Sequence, residues 1–111
     1  KTAARAAVAE AGVPVVPGET PTSQDSSAVL DALTRVGFPA LLKASAGGGG
    51  KGMRIVRSLQ EAAEATDAAR REAERAFADG TLYVERLIEM PRHIEIQVMA
   101  DSHGSTVHLF E

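Results

Sequence analysis

The 111-residue sequence is 44% apolar and 24% charged, enough for one hydrophobic core and too short for two. Lys and Arg total 12 against 15 Asp and Glu, so the net charge of -3 leaves no electrostatic footprint for nucleic acid or an anionic membrane, and any phosphate chemistry must be local. The absence of cysteine excludes disulfides, thiolate zinc sites and cysteine nucleophiles, and no apolar run or secretory signal argues against a soluble intracellular protein.

Along the chain, Ala4, Ala7, Val8 and Ala11 have the spacing of a helical stripe over residues 1–11, and Gly12 suits the left-handed cap that ends it. Pro14 and Pro17 remove donors and fix their own φ, so residues 12–18 read as an extended crossing, followed by a polar loop over 19–24. Asp25 or a neighbouring serine caps a second helix whose Val29, Leu33 and Val36 share a face, with Gly37 and Pro39 stopping it. Residues 39–45 and 53–57 read as strands joined through a glycine loop. Ser58 and Glu61 have the S-x-x-E form of a capping box. A long helix should follow, burying Leu59, Ala62, Ala63, Thr66, Ala69, Ala73, Ala76 and Phe77 and exposing i,i+4 pairs from Asp67 to Arg71 and Arg70 to Glu74. Asp79 and Gly80 end it. Leu82, Val84 and Ile88 then alternate with Tyr83, Glu85 and Leu87 in a strand over 81–88. Ile94, Ile96 and Val98 alternate with Glu95, Gln97 and Met99 in another strand after Pro91, and a turn over 101–105 leads to a return strand over 106–110. His93, His103 and His108 match no zinc spacing, and the H-x-E at 93–95 lacks the P-C-x-x-C partner of a deaminase, so they read as solvated polar residues and no metal site is expected.

The glycine loop carries the most information. Residues 47–52 hold five glycines in six positions, several times the cost of about 0.5–1 kcal/mol for one glycine in ordered structure. Without Cβ atoms, successive N–H groups can converge on a polyphosphate. Lys43 precedes the run and Lys51 sits inside it, although the chain has only three lysines. A Walker A loop fails because Lys51 is followed by Gly52 and a strand rather than by Ser or Thr and a helix. Gly47, Gly49 and Gly52 satisfy G-x-G-x-x-G, but a Rossmann turn must open a helix, which Met53 to Arg57 do not. A kinase loop has its lysine downstream, and no H-R-D or D-F-G follows. A flexible linker is the bland alternative, and the two framing strands speak against it.

F-P-A-L-L-K-A-S-A-G-G-G-G-K-G-M-R-I-V-R, residues 38–57, resembles the lysine strand and glycine loop of biotin carboxylases, members of the ATP-grasp enzymes. A-G-V-P-V-V-P-G at 11–18 resembles that family's crossing into the lid, and Y-V-E-R-L-I-E-M-P-R-H-I-E-I-Q-V at 83–98 its adenine-side hinge. The resemblance implies that Lys43 contacts the ATP phosphates, that Gly49 and Gly50 cover them with backbone N–H groups, and that Lys1 reaches them from a neighbouring domain. Glu85, Arg86, Leu87 and Ile88 would bind adenine mainly through the main chain, and His93 would contact the nucleotide near the ribose. Met53 is expected to pack on the adenine ring as an adaptable apolar contact. Glu95 and Gln97 match family positions but read as solvent-facing strand residues. Ala46 stands where the family often has glycine. Arg86 stands where lysine is frequent, and its planar fork is not equivalent to an ammonium.

The implied fold is α+β, an ATP-grasp lid in which helices pack on a small antiparallel sheet with the glycine hairpin projecting. The implied organisation is a helix and crossing from a preceding subdomain over 1–18, the lid over 19–90 and the first hairpin of a following subdomain over 91–111. The implied enzyme is a ligase using ATP with Mg2+ and bicarbonate, via carboxyphosphate, to carboxylate biotin. It would work with the rest of the biotin carboxylase, a biotin carboxyl carrier and the carboxyltransferase of an acyl-CoA or pyruvate carboxylase, in the cytoplasm or, in a eukaryote, the mitochondrial matrix. Its catalytic residues and metal ligands would lie beyond Glu111, so these 111 residues alone are not expected to catalyse. Another ATP-grasp ligase, such as the carbamoyl-phosphate synthase large subunit, a noncatalytic nucleotide-binding module and a purely structural domain remain the alternatives.

Overall fold

The computed structural model describes residues 2–47, 50 and 52–111. Among the described residues three helices and six strands follow one another as α1 (Thr2–Glu10), β1 (Gly18–Glu19), α2 (Ser26–Val36), β2 (Ala40–Ala44), β3 (Met53–Val56), α3 (Leu59–Phe77), β4 (Leu82–Arg86), β5 (Val98–Ala100) and β6 (Thr106–His108). The first four strands form one antiparallel sheet in the order β1-β4-β2-β3, and β5 pairs with β6 alone. The expected α+β class is what the chain adopts.

Side chains of a strand alternate between faces, and directly paired residues share one. Ala40, Leu42, Val56, Leu82 and Val84 therefore point to one side, where they meet Val29, Ala32 and Leu33 of α2 and Ala62 and Ala69 of α3 in the buried core. Both helices lie on that side. The opposite face carries Leu41, Lys43, Met53, Ile55, Tyr83 and Glu85 by the same register. The chain thus spends one sheet face on its core and leaves the other for the site.

Local chemistry accounts for the helix ends. The Asp25 side chain accepts from the Ala28 amide at 2.8 Å and Gly37 closes α2 at φ 83. Glu61 accepts from the Ser58 amide at 2.9 Å, the expected limb of the capping box. Gly12 takes the left-handed φ of 79 expected beyond α1.

The structure corrects four expectations. The 19–24 segment is more than a polar loop: Gly18 and Glu19 pair with β4 as an edge strand, and the Gln24 amide bonds both the N–H and the carbonyl of Leu82, at 2.7 and 3.2 Å. A side chain substituting for strand backbone leaves no periodic signal. The α3 stripe is narrower than expected, with Ala62, Thr66, Ala69 and Ala73 buried, Leu59, Ala63 and Ala76 exposed and Phe77 half-buried, because a single sheet and α2 cover only one side of the helix. Arg70 donates to the Gln24 carbonyl rather than standing as a solvated ion-pair partner. The strand expected after Pro91 shrinks to Val98–Ala100, with Gln97 still linked to Leu109 and Phe110, and the return strand shrinks to Thr106–His108. Ile94, Ile96 and Val98 are each more than half exposed, so among the described residues the alternation has no core to face.

Candidate functional site

The open sheet face gathers the chemistry. Lys43, on the central strand β2, is directly paired with Tyr83 of β4 on one side and Met53 of β3 on the other. Glu85 lies one step further along β4 on the same face, and its carboxylate meets the Lys43 ammonium at 2.9 Å, with the two side chains 23% and 16% exposed. An ammonium has three donors, so this pair fixes the direction of Lys43 while leaving it able to contact an anion. A recess of about 300 Å³ opens beside the pair, walled by Thr2, Ala4 and Arg5 of α1 and by Lys43, Tyr83 and Glu85 of the sheet.

The turn joining β2 to β3 demands glycine at two described positions. Gly50 and Gly52 have φ of 81 and 70, and a Cβ on Gly52 would fall 2.8 Å from the Ala44 Cβ and 3.3 Å from the Phe77 ring. The Ala44 amide donates to the Gly52 carbonyl at 2.8 Å, so the hairpin closes directly beyond Lys43. Met53 is half-exposed on the Lys43 face, and its methyl lies 3.6 Å from where a Gly50 Cβ would sit. Lys43, Glu85, Met53 and Gly50 are therefore brought together. Lys1 and Gly49, with Gly48 and Lys51, lie outside the described residues.

The remaining site positions separate. The Arg86 guanidinium reaches to the Val36 carbonyl at 3.5 Å on the helix side of the sheet, away from Lys43. The amides of Arg86 and Leu87 donate to the Pro17 and Pro39 carbonyls at 2.8 and 3.0 Å, so those two N–H groups are committed to the fold. Ile88 is half-exposed just past the end of β4. His93 bonds Glu95 at 2.8 Å, both largely in solvent, and lines a separate depression with Ile94 and Glu111. It is not part of the Lys43 recess.

Sequence reasoning missed Tyr83 and Arg5. Burial pushes the Tyr83 phenol above its ordinary pKa, opposed by the nearby Arg5 cation, so it stays neutral near pH 7. Two signals for these residues were present: Tyr83 must share the face of Glu85 two residues on, and Arg5 stands one helical turn after Lys1.

The whole chain, residues 1–111, matches the family described as Carbamoyl-phosphate synthase L chain, ATP binding domain. It is similar to biotin carboxylase 2 of Bacillus subtilis, 47% identical over all of this chain and 25% of that protein, and to the pyruvate carboxylase of the same bacterium, 49% identical over all of this chain and 10% of that protein. Among solved structures it is similar to the biotin carboxylase domain of the 2-oxoglutarate carboxylase of Hydrogenobacter thermophilus, in complex with MgADP, ADP and bicarbonate. The TM-score there is 0.81 at 44% identity, covering 89% of this chain and 22% of that one. The chain thus spans a quarter or less of the length of these relatives.

Proposed function

Since the chain belongs to the carbamoyl-phosphate synthase L chain ATP-binding family, we propose that it is the nucleotide-binding lid segment of a biotin carboxylase, in which ATP activates bicarbonate for transfer to biotin. The observation that carries this reading is the Lys43–Glu85 pair at 2.9 Å, on the sheet face opposite α2 and α3 and directly before a glycine hairpin. Phosphoryl transfer asks the protein chiefly for positioning and for neutralisation of phosphate charge. Lys43 supplies the neutralising cation, Glu85 aims it, and Met53 offers an apolar surface for the base. Because the Arg86 and Leu87 amides are committed within the fold, the Ile88 amide and the carbonyls of 86–88 are the main-chain groups for adenine. The relative solved with MgADP and bicarbonate, and a family match over the full chain, support the choice of ligand.

The 91–111 hairpin and helix α1 belong, in this reading, to the subdomains on either side of a lid spanning 19–90. Among the described residues no three His, Asp or Glu side chains stand together as a cation site. The carrier and carboxyltransferase components would act on the product of the longer enzyme. Assignment of His93 to the ribose requires a rearrangement that brings its exposed segment to the Lys43 face.

A titration of the isotopically labelled chain with MgATP, followed by amide chemical shifts, tests the proposal. Shifts clustered on Lys43, Gly47, Gly50, Gly52, Glu85 and Ile88 are expected. A spectrum unchanged at millimolar MgATP would overturn it.

A further inference from the structure

Helix α1 walls the recess and yet buries nothing. Of its residues Thr2–Glu10, only Arg5 is half-buried, and Val8, the largest apolar side chain in the helix, is 42% exposed. Core packing therefore does not hold this helix beside the sheet. Among the described residues the α1 side chain that reaches across is Arg5: its guanidinium lies 5.6 Å from the centre of the Tyr83 ring and donates to the Val16 carbonyl.

Tyr83 is itself held from beneath. It is 8% exposed, its hydroxyl lies 2.5 Å from where a Cβ on Gly18 would sit, and that oxygen has no hydrogen-bond partner. The absence of a side chain at Gly18 on the edge strand makes room for the phenol. Arg5 lies over the ring, and Tyr83 is the direct cross-strand partner of Lys43. One contiguous path runs from α1 through Arg5 and Tyr83 to the lysine.

We propose that Arg5 is a positioning residue for the nucleotide recess, tethering α1 to the sheet through the Tyr83 ring so that the Thr2–Ala4 wall stays over the Lys43–Glu85 pair. The guanidinium suits this task because its planar face stacks on an aromatic ring while its edge keeps donors for a carbonyl. The tether acts on nucleotide binding and not on the chemical step, since Arg5 lines the outer wall of the recess and is linked to Lys43 through Tyr83. The inference rests on the reading of this face as the nucleotide site.

The test uses the full-length enzyme that carries this segment, with ATP KM and kcat measured for Arg5→Ala, Tyr83→Leu, the double variant and Lys43→Ala. Arg5→Ala is expected to raise the ATP KM about fivefold, as for loss of one cation–π contact, with kcat and the melting temperature of the nucleotide-free enzyme little changed. Because both variants remove the Arg5–Tyr83 contact and only the Arg5 bond to the Val16 carbonyl survives in Tyr83→Leu, the double variant should be little worse than Tyr83→Leu alone. An unchanged KM in Arg5→Ala, a loss confined to kcat, or additive losses in the double variant would overturn the tether. Lys43→Ala separates the two claims: undiminished ATP affinity there removes the nucleotide site itself, whereas lost affinity there with Arg5→Ala unaffected removes only the tether.

Discussion

At the scale of single residues, the lysine before the glycines was visible in the sequence, while its partner was not. Lys43 stood out because lysine is scarce in this chain and sits beside a glycine run, a pattern that needs no knowledge of the fold. Glu85 was marked only for its main chain, and its carboxylate joins Lys43 across 42 residues because β4 inserts between β1 and β2. A charge-assisted hydrogen bond to a phosphate contributes about 1.5–3 kcal/mol. Lys43→Ala in the longer enzyme should therefore weaken ATP binding by roughly ten- to hundredfold, measurable by calorimetry. Equal affinity in the variant and the parent would remove Lys43 from the phosphate site. Arg86 shows the converse: its position in a family-like motif pointed to the ligand, but the parity of β4 turns its side chain toward the end of α2.

At the scale of elements, local signals located α2, α3 and the β2–β3 hairpin, since caps, glycines and apolar spacing are written in consecutive residues. The α2 cap also gives a pH dependence. Hydrogen bonds from the Ser23 hydroxyl, the Ala28 amide and the Ser27 hydroxyl lower the Asp25 pKa from 3.8 to about 2. A depressed carboxyl pKa stabilises the fold above the unfolded value, and that contribution disappears as pH falls from about 4 to about 2. Melting curves of the parent and Asp25→Ala should differ by a few degrees at pH 7 and converge over that acid window. A gap undiminished at pH 2 would show that the cap does not act through its carboxylate. The strands β1 and β5 were harder to see, β1 because two residues carry no period and β5 because its apolar alternation extends beyond the residues that pair.

At the scale of the whole molecule, the chain is more extended than a compact domain of its length. The radius of gyration is 15.7 Å, against about 13 Å for a compact domain of this length. Ile94, Ile96, Val98, Met99, Val107, Leu109 and Phe110 all stay more than half exposed, a concentration of apolar surface usual for an interface. The proposed nucleotide site is a partial one, with Lys43 as the lysine of this sheet face among the described residues. The purified 111 residues should show no bicarbonate-dependent ATP hydrolysis above background in a phosphate-release assay, and turnover would refute the assignment of a partial site. The sequence by itself determined the helices, the glycine hairpin, the lysine and the family, because each depends on residue types at short, fixed spacing. Only the tertiary structure decided which carboxylate meets that lysine, which face stays open and which arginine holds the first helix, because strand order and side-chain parity bring together residues that are distant along the chain.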